Sequence, residues 1–270
     1  MAGPLIPFVT YRKFINDTSG FNSKAFGISV ARLFCAIVCM LAYTYGSKYY
    51  PINYLLSPEY YESSFWWKIT NSAIITKICM YKYIFVWLLA ESANIVSGIT
   101  FDQTNYYNHC NINLSKYEMT SSFTMLISAW NMTTNQFAFR YIYRRLKFLG
   151  NVYLSQFVTL SFLSLWHGVA SGYWFSFSAE FLLIYFEKHL NKVVNKLEQL
   201  YNFKLDRYQL LIWTVGRVYT FFFMGYNFIP FMFLFHEYWI PVLSSVYFYM
   251  HVILIFYVFL SFIINAILHI

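Results

Sequence analysis

FLGNVYLSQFVTLSFLSLWHGVASGYWFSFSA, residues Phe148–Ala179, contains no Asp, Glu, Lys or Arg. A bilayer core accommodates about 20 predominantly apolar residues as a helix, and this run is longer than that. Two further uncharged runs, Val218–His236 and Tyr238–Ile270, extend the pattern towards the C-terminus. Hydrophobic residues make up 59% of the 270, aromatics 24%, and charged residues only 11%. That charge content is less than half the roughly 25% of soluble domains, too little to coat a globule of this length. The sequence therefore predicts an all-α, polytopic membrane helical bundle. It argues against a soluble enzyme, a disordered tail and a nucleic-acid module. The formal net charge of +8 fits loops near an anionic membrane surface better than a DNA-binding face.

Working outward, apolar helices are expected near Ala25–Tyr45, Ile69–Ile99, Ser121–Phe139, Leu154–Ile184, Leu210–Phe235 and Leu243–Leu268, about six membrane-embedded elements. Residues Thr100–Met119 are polar and read as a loop. The stretch EKHLNKVVNKLEQLYNFKLDR carries apolar residues at helical spacing among its bases, which suits an interfacial helix or a short loop. Basic clusters at Arg140–Lys147 and Lys188–Arg207 flank Leu154–Ile184, and both favour the cytoplasmic side. One straight span cannot put both its ends there. A continuous helix over Leu154–Ile184 would also measure roughly 46 Å against a hydrocarbon core of about 30 Å. A broken or strongly tilted element follows, with its turn near Gly168 and Gly172.

The cysteines Cys35, Cys39, Cys79 and Cys110 form no C-x-x-C pair and read as small hydrophobes in helices. Sequons start at Asn16, Asn113 and Asn131 and matter only where those segments face a lumen. Pro4 and Pro7 interrupt the first residues, which do not form a signal peptide.

Common catalytic motifs are missing: no P-loop, no H-E-x-x-H, no G-x-S-x-G, and no histidine spacing suited to a metal. Two polar features stand out instead. His167 lies deep in the uncharged run, with Gly168 and Gly172 allowing a substrate chain or another backbone to come close. A lone histidine on an apolar face is usually structural, yet polar groups in membranes are costly and tend to mark function. The second feature is AWNMTTNQF, where Asn131 and Asn135 are expected on one helix face, either bonding between helices or orienting a substrate group. Along one continuous helix Asn131 and His167 would stand about 54 Å apart. A hairpin at Gly150-Asn151 would bring both to similar depth.

SAWNMTTNQFAFRYIYRRLKFLGN followed by LSQFVTLSFLSLWHGVASGYWFSF resembles the membrane-bound O-acyltransferases, in particular their lysophospholipid branch and its lysophosphatidylcholine acyltransferase 3 type. The likeness extends from AGPLIPFVTYRKF through YKYIFVWLLAE and HCN to FFFMGYNFIPF. It implies that Asn131 and His167 are the two signature polar residues. His167 would act as general base on the free sn-2 hydroxyl of a lysophospholipid, which attacks the thioester of acyl-CoA, while Asn131 orients the hydroxyl or steadies developing charge. It implies acyl-CoA as co-substrate with no cofactor and no metal. The acceptor would be lysophosphatidylcholine, with lysophosphatidylserine and lysophosphatidylethanolamine as further candidates. An endoplasmic reticulum membrane is implied, and a homo-oligomer is compatible with the likeness. Trp130, Asn135, Trp166, Gly172, Tyr173 and Trp174 become candidates to line the substrate path. Arg140, Arg144, Arg145 and Lys147 become candidates for CoA phosphates or lipid headgroups, beside their reading as a topology signal. Longer family members carry extra helices upstream, so residues 1–270 are expected to form one integral-membrane domain, the C-terminal portion of a truncated core.

A second reading is a non-catalytic transporter or scaffold subunit using Lys77, Lys82, Glu91 and Arg217 as pathway charges. A tunnel shared by Asn131 and His167 favours the acyltransferase; separate closed environments favour the alternative.

Overall fold

The computed structural model describes residues 3–16, 23–100 and 109–269, and among these it is all helix and loop. In chain order the helices are α1 (Phe8–Asn16), α2 (Ser23–Tyr49), α3 (Pro58–Glu62), α4 (Phe65–Ser97), α5 (Leu114–Glu118), α6 (Phe123–Ala129), α7 (Met132–Tyr141), α8 (Val152–His167), α9 (Ser171–Tyr201), α10 (Gln209–Phe233), α11 (His236–Ser244) and α12 (Tyr249–Leu268). Three segments among the described residues are long and apolar enough to cross a bilayer: Ser23–Leu56, Phe65–Ser97 and Tyr249–Leu268. The 33-residue α4 measures about 50 Å, so it must tilt or protrude beyond a hydrocarbon core of about 30 Å.

Small residues set the packing, as they must where lipid removes the hydrophobic drive between helices. Along α2 and α4, Ser29 Oγ donates to Ser92 O at 2.8 Å and Ser92 Oγ returns a bond to Ser29 O at 2.9 Å. Ala36 and Cys39 of α2 are buried in the same core. On its other side α4 meets α10, where Gly225 lies so close to Ala73 that a Cβ on Gly225 would be 2.5 Å from the Ala73 Cα. Helix α10 in turn packs on α9, which also holds α8 and α12. A polar ladder joins α9 to α12: Tyr185 Oη to Ser261 Oγ at 2.7 Å, His189 Nδ1 to Tyr257 Oη at 2.8 Å, and His189 Nε2 to Asn265 Oδ1 at 2.9 Å. One buried cluster runs from Ala36 through α4, α6, α9 and α10 to Leu254 of α12.

Some expectations hold and others change. Leu154–Ile184 is broken: α8 ends at His167, Gly168 takes φ +143°, and α9 restarts at Ser171. The turn at Gly150-Asn151 is also present, with Gly150 at φ +65° and Asn151 Oδ1 capping α8 through Leu154 N at 3.0 Å. Ser121–Phe139 is not one element, because the chain breaks at Trp130-Asn131 between α6 and α7. As far as Tyr201 the basic stretch after Glu187 is not a separate interfacial helix but the continuation of α9, whose buried Glu187 and His189 are satisfied by partners; a short loop from Asn202, at φ +49°, then leads to the 3-10 turn Leu205–Tyr208. The last apolar region begins at Tyr249, after positive φ values at Tyr247 and Phe248 end the α11 segment. Residues 101–108 of the expected polar loop lie outside the described residues, as do the last two positions of the Asn16 sequon; beyond them α5 forms a short helix.

Candidate active site

The break at Asn131 is built by the residues around it. Trp130 is extended, and Asn131 adopts φ +47°, ψ +43°, a left-handed conformation that asparagine tolerates better than most residues. Asn135 closes the elbow: its Nδ2 donates to Ile127 O at 3.0 Å and to Trp130 O at 2.9 Å. Those carbonyls belong to the end of α6, where no further turn exists to accept from. Asn131 and Asn135 therefore do not share a helix face as expected; one sits at the elbow and the other staples it.

Two buried carboxylates hold this elbow from opposite sides. Glu91 of α4 accepts from Asn111 N at 2.7 Å and Ile112 N at 3.1 Å, with Arg32 Nε 3.8 Å away. Asn111 then receives Met132 N on its backbone oxygen at 2.9 Å and the Thr133 hydroxyl on its Oδ1. From α9, Glu187 accepts from Phe123 N, from Thr124 N at 2.8 Å and from Thr124 Oγ1 at 2.6 Å, at the start of α6. A negative group at a helix N-terminus is favourable both for its hydrogen bonds and for the helix dipole.

His167 ends α8 and is boxed by rings. Trp166 lies 4.8 Å from it centroid to centroid, Phe231 5.2 Å, Phe177 5.4 Å and Tyr173 5.5 Å. It has no hydrogen-bond partner among the described residues, so its nitrogens are not committed to structure. Tyr173 and Phe177 come from the first turns of α9, and Phe231 from the end of α10. Gly172 makes that junction possible. Its N–H donates to Leu234 O at 2.8 Å, and a Cβ there would overlap the Pro230 carbonyl and lie 2.9 Å from Leu234 O. Of the two roles expected for Gly172, backbone approach is the one it has; it does not line the cavity.

A cavity of about 570 Å³ joins these pieces. Asn131, Trp130 and Asn135 line it from the elbow, Trp166 and His167 from α8, and Tyr173 from α9. Its wall is aromatic: Trp130 meets Trp87 at 4.5 Å, Tyr117 at 5.3 Å and Phe228 at 6.0 Å. Arg140 lines a different, neighbouring cavity of about 250 Å³ with His109, Thr133 and Tyr141. Arg144 lies in the 3-10 turn Tyr143–Leu149 and lines neither, and Trp174 is 40% exposed and also outside.

The charges of the alternative reading are mostly engaged in structure. Lys77 pairs with Glu118 at 3.0 Å, Arg217 donates to the Glu118 and Thr120 carbonyl oxygens, and Glu91 holds Asn111. Lys82 differs, because it lines the large cavity. Sequence reasoning gave no site role to Glu180 and Asn227, which line it too. Glu180 is the first charge after the uncharged run and Asn227 is the one asparagine in Val218–His236; each position was a signal that went unused.

Residues 1–229 match the model of the membrane-bound O-acyltransferase family. The chain is 32% identical over 263 residues to "Lysophospholipid acyltransferase 5" of Rattus norvegicus, covering 93% of the chain and 54% of the relative. The protein of the same name in Drosophila melanogaster is 32% identical over 264 residues, covering 92% and 52%. "Lysophospholipid acyltransferase 1" of Arabidopsis thaliana is 23% identical over 282 residues, covering 98% and 60%. The chain thus spans about half the length of the relatives named "Lysophospholipid acyltransferase 5". With a matching family model over most of its length and a helical membrane architecture, the chain belongs to the membrane-bound O-acyltransferase family.

Proposed function

We propose that this chain carries the reaction centre of an acyl-CoA-dependent lysophospholipid O-acyltransferase of the endoplasmic reticulum membrane, esterifying the free sn-2 hydroxyl in phospholipid remodelling. The observation that carries this reading is the single cavity lined by both Asn131 and His167, two polar residues distant in sequence and enclosed by aromatic rings. The names of the relatives point the same way. No cofactor is needed, since the thioester of acyl-CoA already supplies an activated acyl group.

A neutral hydroxyl is a weak nucleophile, so the reaction needs a base within reach. In the proposed mechanism a free nitrogen of His167 takes the hydroxyl proton as the oxygen attacks the thioester carbonyl. The carbonyl π-electrons move to oxygen, and Asn131 donates an amide hydrogen to that oxyanion or orients the hydroxyl. Collapse re-forms the C=O bond and breaks the C–S bond. The imidazolium returns its proton to the departing CoA sulfur, leaving the ester, free CoA and neutral His167. The ring box keeps water away from the thioester, which otherwise competes as acceptor.

The test is transfer of labelled acyl groups from acyl-CoA to a panel of lysophospholipids in membranes, run on this chain and on a version extended upstream. His167→Ala should lower the rate by about 10²–10⁴-fold while membrane insertion and the unfolding midpoint stay unchanged. An inserted, folded His167→Ala protein that still transfers acyl groups at the parental rate overturns the proposal.

A further inference from the structure

Three polar groups in the large cavity take no part in the acyl transfer proposed above: Lys82 of α4, Glu180 of α9 and Asn227 of α10. Asn227 is buried, Glu180 half-buried and Lys82 exposed, and neither Glu180 nor Asn227 Oδ1 has a hydrogen-bond partner among the described residues. Glu180 makes no hydrogen bond and no ion pair among the described residues. Lys82 makes no ion pair there either; its Nζ stands 5.1 Å from the Tyr83 ring centroid. The Asn227 side chain is 6% exposed, and its buried Oδ1 has no hydrogen-bond partner. Its own backbone oxygen, by contrast, is taken by Ser176 Oγ at 2.8 Å, which fixes α10 against α9 at this level.

Leaving a buried acceptor unpaired is expensive, and a half-buried carboxylate facing a cavity without a donor carries a cost of the same kind. Such groups persist where a ligand completes them. Here the missing partners are specific in kind. Glu180 and Asn227 Oδ1 both lack hydrogen-bond donors, Glu180 favours a cationic one, and the exposed Lys82 ammonium on the same lining offers a counter-charge to an anion. One zwitterion offers all of this: a phosphate joined to a primary ammonium.

Resting on the acyltransferase reading, we propose that Lys82, Glu180 and Asn227 form a headgroup station for lysophospholipids whose amine carries N–H donors. The phosphate faces Lys82, and the ammonium donates to Glu180 and to Asn227 Oδ1. A trimethylammonium headgroup has the same charge but no N–H, so it satisfies neither acceptor by hydrogen bonding. Discrimination of this type is strong, because a site built to bond a donor is left with unpaired acceptors when the donor is absent. The aromatic wall formed by Trp87, Trp130 and Tyr83 works in the opposite direction, since ring faces attract quaternary ammonium groups. Those rings are packed edge-on against one another, Trp87 on Trp130 at 4.5 Å and Tyr83 on Trp130 at 6.3 Å, so their faces are partly spent.

The experiment is a binding series that does not depend on catalysis. Trp87, Trp130 and Trp166 line the cavity, so tryptophan emission of the purified chain in detergent reports occupancy. The probes are lysophosphatidylethanolamine, its N-methyl and N,N-dimethyl forms, and lysophosphatidylcholine, all with one acyl chain. A preference of about tenfold for the ethanolamine over the choline headgroup is expected, as for one charge-assisted hydrogen bond, falling stepwise with methylation. Glu180→Met and Asn227→Leu, which each remove an acceptor, should each bring the ratio towards one, whereas Asn227→Asp, which keeps an acceptor, should retain it. Equal affinities in the parent, a preference for choline, or a ratio unmoved by both Glu180→Met and Asn227→Leu overturns the station. Headgroup discrimination without acyl transfer would sink the acyltransferase reading and leave the station standing. Transfer at equal efficiency to both headgroups would do the reverse.

Discussion

Replacing Gly225 by alanine sets two effects of opposite sign against each other, and the structure decides between them. Gly225 is inside α10, where exchanging glycine for alanine stabilises a helix by roughly 0.5–1 kcal/mol through lost backbone freedom alone. The added Cβ, however, would lie 2.5 Å from the Ala73 Cα, 2.8 Å from its Cβ and 3.2 Å from its nitrogen. Carbon atoms rest at about 3.5–4.0 Å, so α4 and α10 must part by about 1 Å. Ala73 belongs to the backbone of a long helix and cannot turn aside as a side chain would. Overpacking of this kind costs about 1–3 kcal/mol, and a rigid neighbour puts the cost near the upper end. The balance is a net loss of about 2 kcal/mol. Both helices line the cavity, α4 with Tyr83 and Trp87 and α10 with Asn227 and Phe231, so the parting also misplaces the wall around His167. A displacement of about 1 Å lowers a reaction that depends on orientation by about a hundredfold. Reversible unfolding in mixed detergent, followed by tryptophan emission, gives the stability change, and acyl transfer gives the rate. The double variant Gly225→Ala/Ala73→Gly removes the overlap of the two Cβ atoms but not that with the Ala73 Cα, so its rescue should be partial. A Gly225→Ala protein stabilised by the helix-propensity increment, with transfer intact, would refute the close approach of α4 and α10.

Asn135→Ala removes both donors to Ile127 O and Trp130 O, and should destabilise the elbow by about 1–3 kcal/mol; hydrogen exchange of the amides around Trp130–Thr134 should rise more than that of α12, and uniform exchange would count against a local staple. At His109, which lies outside the crossing helices, burial and then the nearby Arg140 hold the pKa below the ordinary histidine range. Its folded value is below its unfolded one, so its contribution is present above about pH 6.5 and is lost as the pH falls through the lowered folded value. His109→Gln should flatten the acid limb of an unfolding-midpoint profile measured from pH 7.5 to 4.5; an unchanged acid limb removes His109 as its cause.

What the sequence discloses about this molecule follows from which physical constraint acts locally. The break at Gly168 was legible because a length argument and a charge argument converged on it. A continuous helix over Leu154–Ile184 would exceed the bilayer, and basic clusters stood at both its ends. His167 was legible for a related reason, as a polar side chain in an uncharged run has few inexpensive explanations. The elbow at Asn131 was not. Nothing in AWNMTTNQF forbids a helix, and a four-residue spacing of asparagines invites one. The left-handed turn is imposed by partners elsewhere: Asn111 holding Met132, Glu91 holding Asn111, and Glu187 holding the start of α6.

Glu187 and His189 show the same limit from the other direction. Charges after Tyr185 suggested an interface, because a sequence shows a charge without showing its partner. In the fold, Glu187 faces Phe123 and Thr124, and His189 is held between Tyr257 and Asn265. Both are buried and satisfied, and α9 runs through them unbroken. Glu180, about two turns earlier on the same helix, is the contrasting case: a carboxyl with no hydrogen-bond or ion-pair partner among the described residues, opening on a cavity rather than on another helix. The difference between a carboxylate that holds the fold and one that faces the cavity here is not residue type. It is whether the protein itself supplies the donor, and that is a property of the folded neighbours which no local window contains.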